Sequence, residues 1–321
     1  MRRLLVPVLL AVTAASCSGG DDGPRSEGQR LAVEVASFDL AVGVPGRFMV
    51  GLVTQGPQGN LFVAGGSVDF EFFYLGETEA TERDPAGTAT APFLPIPGSA
   101  GPYPARPEPV TASSGRGVYA VEEFEFDRPG FWEVEVEADL AGVGPARATG
   151  AFEVLPEPEV PVRGDPAPRT ENLTIDNYQA DDAPPQAVDS RATSRRIPDR
   201  ELHDSTVANA IRSGIPVLLT ISTPVYCVSK FCGPITDMVA ELAGDYGDRA
   251  DFIHIEVWRN FEEQVVNRAA AEWILAEDKL QEPWVFLIGS DGRIVERWDN
   301  VATRQEIEPL LQELPAVPEL A

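Results

Sequence analysis

Two cysteines five positions apart, Cys227 and Cys232, are the residues best equipped for chemistry in this 321-residue chain. The chain has three cysteines, and the third, Cys17, ends an N-terminal leader. In an oxidising compartment two such unaccompanied thiols either pair or react. The thiolate is the species that attacks a disulfide, and a helix N-terminus favours it through free N–H groups and the positive end of the dipole. The stretch Thr223 to Pro234 (TPVYCVSKFCGP) lies between an apolar run and an amphipathic stripe. With Pro234 at the first helical position, Cys232 falls just before the helix. Lys230, one of two lysines in the chain, adds positive charge nearby. Cys232 is therefore expected to attack a substrate disulfide and Cys227, in the preceding loop, to resolve the mixed disulfide. The competing expectation is an inert staple of a short loop, worth about 2 to 3 kcal/mol or less.

The elements around the pair follow from hydrophobic period. Pro216 to Ser222 (PVLLTIS) is a nearly continuous apolar run, as in a strand covered on both faces. Ile235, Met238, Val239 and Leu242 form the stripe of an amphipathic helix. Asp204 or Ser205 is positioned to cap an earlier helix that Gly214 ends. Phe252 to Trp258 reads as a second strand, Phe261 to Ala276 as a helix, and Trp284 to Ile288 with Ile294 to Trp298 as a hairpin around Ser290-Asp291-Gly292. Thr303 and Glu306 form a capping box for a last helix, with Pro309 as an interior conflict.

Here a family resemblance enters. Phe231-Cys232-Gly233-Pro234 resembles the W-C-G-P-C motif of thioredoxins up to its last residue, and Glu282 to Ile288 with Asp291-Gly292 resembles their cis-proline strand and hairpin. The resemblance covers about residues 200–315. It implies an α/β thioredoxin-like fold, with Gly233 and Pro234 shaping the loop and Pro283 cis and facing the cysteines to align a substrate backbone. By position Trp284 reads as core or as lining the site, where, beside Pro283, it would pack near the disulfide. The resemblance also implies thiol-disulfide exchange without a bound cofactor. Ile235 stands where thioredoxins have their second cysteine, so the pair is a C-x4-C variant. That spacing, with Thr223-Pro224 nearby, more weakly resembles peroxiredoxins that hold both cysteines in one helix. A copper-delivery reading, after proteins of the Sco type, would need a histidine. The chain has two, His203 and His254, and His254 in its strand reads as a satisfied or partly exposed residue rather than a ligand.

The rest of the chain sets the context. Arg2, Arg3 and the apolar stretch Leu4 to Val12 read as an export signal, and Ala14-Ala15-Ser16-Cys17 resembles the bacterial lipobox, which implies lipidation at Cys17. Residues 1–17 are expected as signal and lipobox and 18–30 as a flexible tether. Residues 31–155 alternate apolar and polar most clearly at Trp132 to Ala138, which implies six or seven short strands in an immunoglobulin-like β-sandwich, with a long loop over 76–117. Residues 156–200 read as a Pro-rich linker and 201–315 as the thioredoxin-like domain. The fold class is thus multidomain: an all-β sandwich followed by an α/β unit.

Net charge is −26, from 51 acidic and 25 basic residues, which argues against nucleic acid as a partner. The expected function is thiol-disulfide exchange on proteins of the cell envelope, in an exported, lipid-anchored chain with an unidentified redox partner, no cofactor and no metal. The alternative is a non-enzymatic envelope binding or scaffold lipoprotein with a structural disulfide.

Overall fold

The computed structural model describes residues 31–57, 59–78, 83–99, 101–111, 115–276 and 279–317. The leader, Cys17 and the tether lie outside them. The N-terminal strands are β1 (Leu31–Val35), β2 (Gly46–Gly56), β3 (Gly59–Ala64), β4 (Ser67–Gly76), β5 (Asp84–Pro95), β6 (Glu108–Val110), β7 (Gly117–Phe124), β8 (Gly130–Leu140) and β9 (Gly144–Val154). All pair antiparallel in one sheet of order β6-β3-β2-β7-β5-β4-β8-β9, with β1 beside β2. The expected sandwich of two sheets is therefore corrected to a single curled antiparallel sheet.

Long strands explain the curl. The hairpins β4–β5 and β8–β9 run for up to twelve residues, and twist accumulated over such ribbons folds one end toward the other. At Gly150 of β9 an added Cβ would lie 2.8 Å from Val33 Cγ1 of β1, so a glycine is required where the ends meet. Phe48, Phe70, Phe72, Phe126 and Trp132 fill the enclosed core, with Phe48 and Phe72 edge to face at 5.0 Å.

The stretch 76–117, expected as one long loop, contains β5 and β6. Its period is hidden because the inward residues of β5 are small: Gly87, Ala89 and Ala91 face Phe72, Phe70 and Val68 across the ladder.

The C-terminal elements are α1 (Val207–Ser213), β10 (Val217–Ser222), α2 (Cys232–Tyr246), β11 (Asp251–Glu256), β12 (Trp258–Asn260), β13 (Val265–Val266), α3 (Arg268–Ile274), β14 (Leu275–Ala276), β15 (Lys279–Leu280), β16 (Trp284–Ile288), β17 (Ile294–Asp299) and α4 (Arg304–Glu313). A four-stranded sheet has the order β11-β10-β16-β17, parallel between β10 and β11 and antiparallel elsewhere. Alternate residues of β10, Val217, Leu219 and Ile221, pack with α1 and α3, while Leu218 packs with α2 and α4.

The expected α/β thioredoxin-like domain is also corrected. Strand makes up 42% of the described residues and helix 16%, and no clear domain of that class is formed. Two of the four described helices have only seven residues, because Gly214 in the left-handed region (φ 70°) stops α1 and the chain leaves α3 directly into the β14–β15 ladder. Much of the intervening chain is irregular wrapping instead.

That wrapping includes residues 156–200, read from composition as a linker. Its prolines supply no N–H for a ladder, so side chains and strand edges take over the backbone bonding. Asp39 accepts the N–H groups of Glu159 and Val160 at 2.9 and 3.2 Å, and Ala167 donates to Gly292 O at 2.9 Å. Further on, Thr170, Asn172 and Asp189 are buried.

The two sheets meet directly. Arg47 of β2 pairs with Glu306 at 2.8 Å and Asp299 at 3.2 Å, and Arg297 pairs with Asp39 at 2.6 Å. Met49, Ile96, Val118 and Ala120 close over Val301, and Phe231, immediately before α2, packs against this cluster. The N-terminal sheet thereby buttresses the cysteine loop.

Candidate functional site

Cys227 and Cys232 form a disulfide with Cα atoms 6.0 Å apart. The loop Thr223–Phe231 leaves β10, is turned at Lys230 in the left-handed region (φ 61°), and enters α2. Cys232 is the first helical residue, not the residue before the helix, and the first helical bond runs from Ile235 N–H to Phe231 O. Pro234 is the third, a place where its missing N–H has no helical partner to lose. Gly233 lies in helical conformation directly before that proline.

In this register the two sulfurs differ in access. Cys232 is fully buried, held from below by Thr236, whose hydroxyl donates to Cys232 O at 2.9 Å and contacts Ser222 Oγ at 2.8 Å. Cys227 is half-buried, and its Sγ accepts the Cys232 N–H at the helix start at 3.4 Å. The helix-terminal stabilisation expected for a Cys232 thiolate thus falls on Cys227. Val225 and Val228 flank it at 53% and 95% exposure, apolar side chains presented to solvent around the accessible sulfur.

Pro283 is buried and its bond to Glu282 is cis. Trp284 is a core residue, as one of its two expected placements had it. It belongs to the sheet face that packs with α1 and α3, opposite α2, and contacts Phe286 at 5.6 Å and Phe38 at 6.1 Å. Lys230 is exposed at the loop tip.

A group missed in the sequence reading stands beside the sulfurs. A carboxylate oxygen of Glu282 lies within 4.8 Å of both Sγ atoms, and its Oε2 is buried without a hydrogen-bond partner. Burial, and then the charge of Glu256, push the Glu282 carboxyl up to about 8. Glu256, at the end of β11, is pushed up to about 7 by burial, against the N–H groups of Ser190 (2.8 Å) and Trp258 (3.3 Å) that bind its charged form. Burial thus favours the protonated form of Glu282 next to the disulfide.

A second cluster lies two residues back along β11. His254 Nδ1 and His203 Nε2 are 3.1 Å apart, and each is 3.8 Å from Asp189 Oδ2. His254 Nε2 faces Ser222 O at 3.1 Å and His203 Nδ1 faces Asp199 O at 2.9 Å. All three side chains are fully buried. Of the two expectations for His254, the structure shows a buried residue with a partner at each ring nitrogen rather than a partly exposed one. Burial pushes both imidazoles down, His254 to about 3. Burial alone would raise Asp189, but the Arg191 guanidinium, bonded at 2.7 and 3.1 Å, holds it below the usual carboxylate range.

The signal beside both clusters is period-2 polarity in two strands, one a nearly continuous apolar run and the other alternating. Thr220 and Ser222 in β10, with His254 and Glu256 in β11, share the face toward α2 in register. Buried polar side chains stacked in this way must find partners.

Compared with known proteins, the chain matches no family model and no curated protein.

Proposed function

We propose that this chain is an exported thiol-disulfide exchange protein acting on disulfides of cell-envelope proteins, with Cys227 as the sulfur that meets the substrate and Cys232 as its buried partner. One observation carries the reading: a half-exposed sulfur on a helix N-terminal amide is bonded to a buried sulfur, and the Glu282 carboxyl lies within 4.8 Å of both. The likeness of Phe231-Cys232-Gly233-Pro234 to a redox loop supports it, as do the exposed valines, which suit an unfolded or extended polypeptide.

Written from the disulfide form, a substrate thiolate attacks Cys227 Sγ. The Cys227–Cys232 bond breaks, and Cys232 leaves as thiolate and takes the proton of Glu282. The second substrate thiol, once deprotonated, attacks the substrate sulfur of the mixed disulfide, giving substrate disulfide and Cys227 thiolate, which the Cys232 N–H stabilises. Two electrons pass from the substrate dithiol to the protein, and the reverse sequence reduces a substrate disulfide. In that direction ionised Glu282 accepts the Cys232 proton.

Export and lipidation at Cys17 belong to the same proposal, and they rest on the leader sequence. No helix among the described residues is long and apolar enough to cross a membrane.

The test is a pair of variants in insulin reduction. Cys227→Ser removes the exchange rate, while Cys232→Ser accumulates mixed disulfides through Cys227. A reduction potential below about −300 mV, together with no trapped species, would assign the bond to an inert staple and the chain to a scaffold role.

A further inference from the structure

The buried cluster of Asp189, His203 and His254 has more acceptors than protons. A neutral imidazole has one N–H and one lone pair. Carbonyl oxygens only accept, so the contacts of His203 Nδ1 with Asp199 O (2.9 Å) and of His254 Nε2 with Ser222 O (3.1 Å) each use that ring's single N–H. Both inner nitrogens are then bare. They face each other at 3.1 Å, with Asp189 Oδ2 3.8 Å from each, in a region from which solvent is excluded. Three lone-pair donors aimed at one point in a dry interior repel one another unless a cation lies between them.

We infer that Asp189, His203 and His254 bind one divalent transition-metal ion, zinc by the chemistry of the ligands. Tetrahedral zinc at about 2.0–2.2 Å from nitrogen and oxygen separates its ligand atoms by roughly 3.3–3.6 Å. The observed 3.1, 3.8 and 3.8 Å bracket that range. The backbone carbonyls behind the two rings fix tautomer and orientation, as they do for metal-bound histidines. Asp189 keeps lone pairs for a metal while it accepts Arg191, since a carboxylate offers about four acceptor sites.

Charge agrees. Arg191 bridges Asp189, Asp199 and Asp237 at 2.7 Å each, one positive group against three negative ones. The formal balance of −2 is what a divalent ion neutralises. Because the ligands are sealed from solvent, the ion serves to tie the 189–203 segment to β11 rather than to activate a substrate.

The experiment measures zinc in the full chain, purified in the disulfide form from zinc-supplemented culture without chelator. One equivalent per chain is expected, and the Cys227→Ser/Cys232→Ser double variant, which removes the competing sulfur set, should retain it. Cobalt(II) added to chelator-stripped protein should give the visible bands of a tetrahedral nitrogen–oxygen site, and zinc should raise the unfolding midpoint in proportion to the logarithm of its concentration. His203→Gln and His254→Gln should each abolish uptake. Should those variants fail to fold, the cobalt spectrum of the wild type still decides, since loading through sulfur instead would add intense thiolate charge-transfer absorption. Folded wild-type protein that takes up neither zinc nor cobalt overturns the proposal, as does uptake lost in the cysteine variant. An imidazole proton shared between His203 and His254 in such metal-refusing protein would identify what fills the site instead.

Discussion

Two polar clusters adjoin along β11, where His254 belongs to one and Glu256, two residues on, helps raise the Glu282 carboxyl of the other, and they solve opposite problems. The cluster of Cys227, Cys232 and Glu282 opens to solvent on one side and sets beside the sulfurs a carboxyl pushed up to about 8, one oxygen of which has no hydrogen-bond partner. The cluster of Asp189, His203 and His254 is closed and is short of a positive charge between its acceptors. Segment 189–191 joins them: Asp189 belongs to one, the Ser190 N–H binds Glu256 beside the other, and Ser190 Oγ accepts the Val225 N–H at 3.2 Å. The difference is one of access. The cluster proposed to react has an exposed edge, whereas the cluster proposed to hold an ion is buried and pinned by backbone carbonyls.

The sharpest way to break this comparison is Arg191→Met. It leaves the fully buried Asp189 charge without its bidentate partner, and an orphaned buried charge costs about 3–5 kcal/mol. Chemical denaturation should show a loss of that size in midpoint at unchanged slope. By contrast, Cys227→Ser/Cys232→Ser releases a loop whose closure is worth about 2 kcal/mol in the chain-entropy account. If the arginine variant loses no more than the cysteine variant, the sealed cluster is not the structural one.

Glu282→Gln tests the open cluster through pH. The Glu282 carboxyl is raised in the folded chain to about 8 from 4.5, so the folded state holds a proton that the unfolded state releases. Its contribution to stability is complete below pH 4.5 and is lost as pH rises through about 8. Replacing it with the neutral amide should flatten this decline, raising stability at pH 8 relative to the parent by on the order of 1–2 kcal/mol. The same variant should slow exchange by on the order of a hundredfold at neutral pH if the proton is used in the reaction. An unchanged rate would reduce Glu282 to a neighbour of the disulfide.

The cysteine pair and the strand-to-helix junction were legible because apolar runs and the Ile235–Leu242 stripe bracket them. Which sulfur is the buried one was not, since it depends on whether α2 starts at Cys232 or at Pro234, and both starts agree with the same stripe. For Trp284 core and site-lining placements were both open, and alternation along β16 puts it in the core on the face away from α2. The N-terminal strands were legible wherever large residues alternate and were lost in β5, where Gly87, Ala89 and Ala91 point inward. His203, Asp189 and Arg191 were invisible as a site because they lie in wrapping chain whose course is fixed by long-range contacts rather than by local period.

The smallest effect concerns the motif glycine. A Cβ at Gly233 would meet nothing nearer than Pro224 O at 3.6 Å, so space alone does not require glycine. The requirement is local: residue 233 is helical and precedes Pro234, and a side chain in that conformation crowds the proline ring. Gly233→Ala should therefore change stability by less than about 1 kcal/mol, because this crowding offsets the reduced freedom of the unfolded chain. In a Pro234→Ala background the crowding is gone, and the same substitution should stabilise by about 0.4–1 kcal/mol. The difference between the two backgrounds, measured as a double-mutant cycle by denaturation, isolates the glycine–proline coupling. A coupling of zero would mean that Gly233 serves the open cluster in some other way, as close backbone approach by a substrate would require, and exchange activity in Gly233→Ala would then fall although the fold is unaffected.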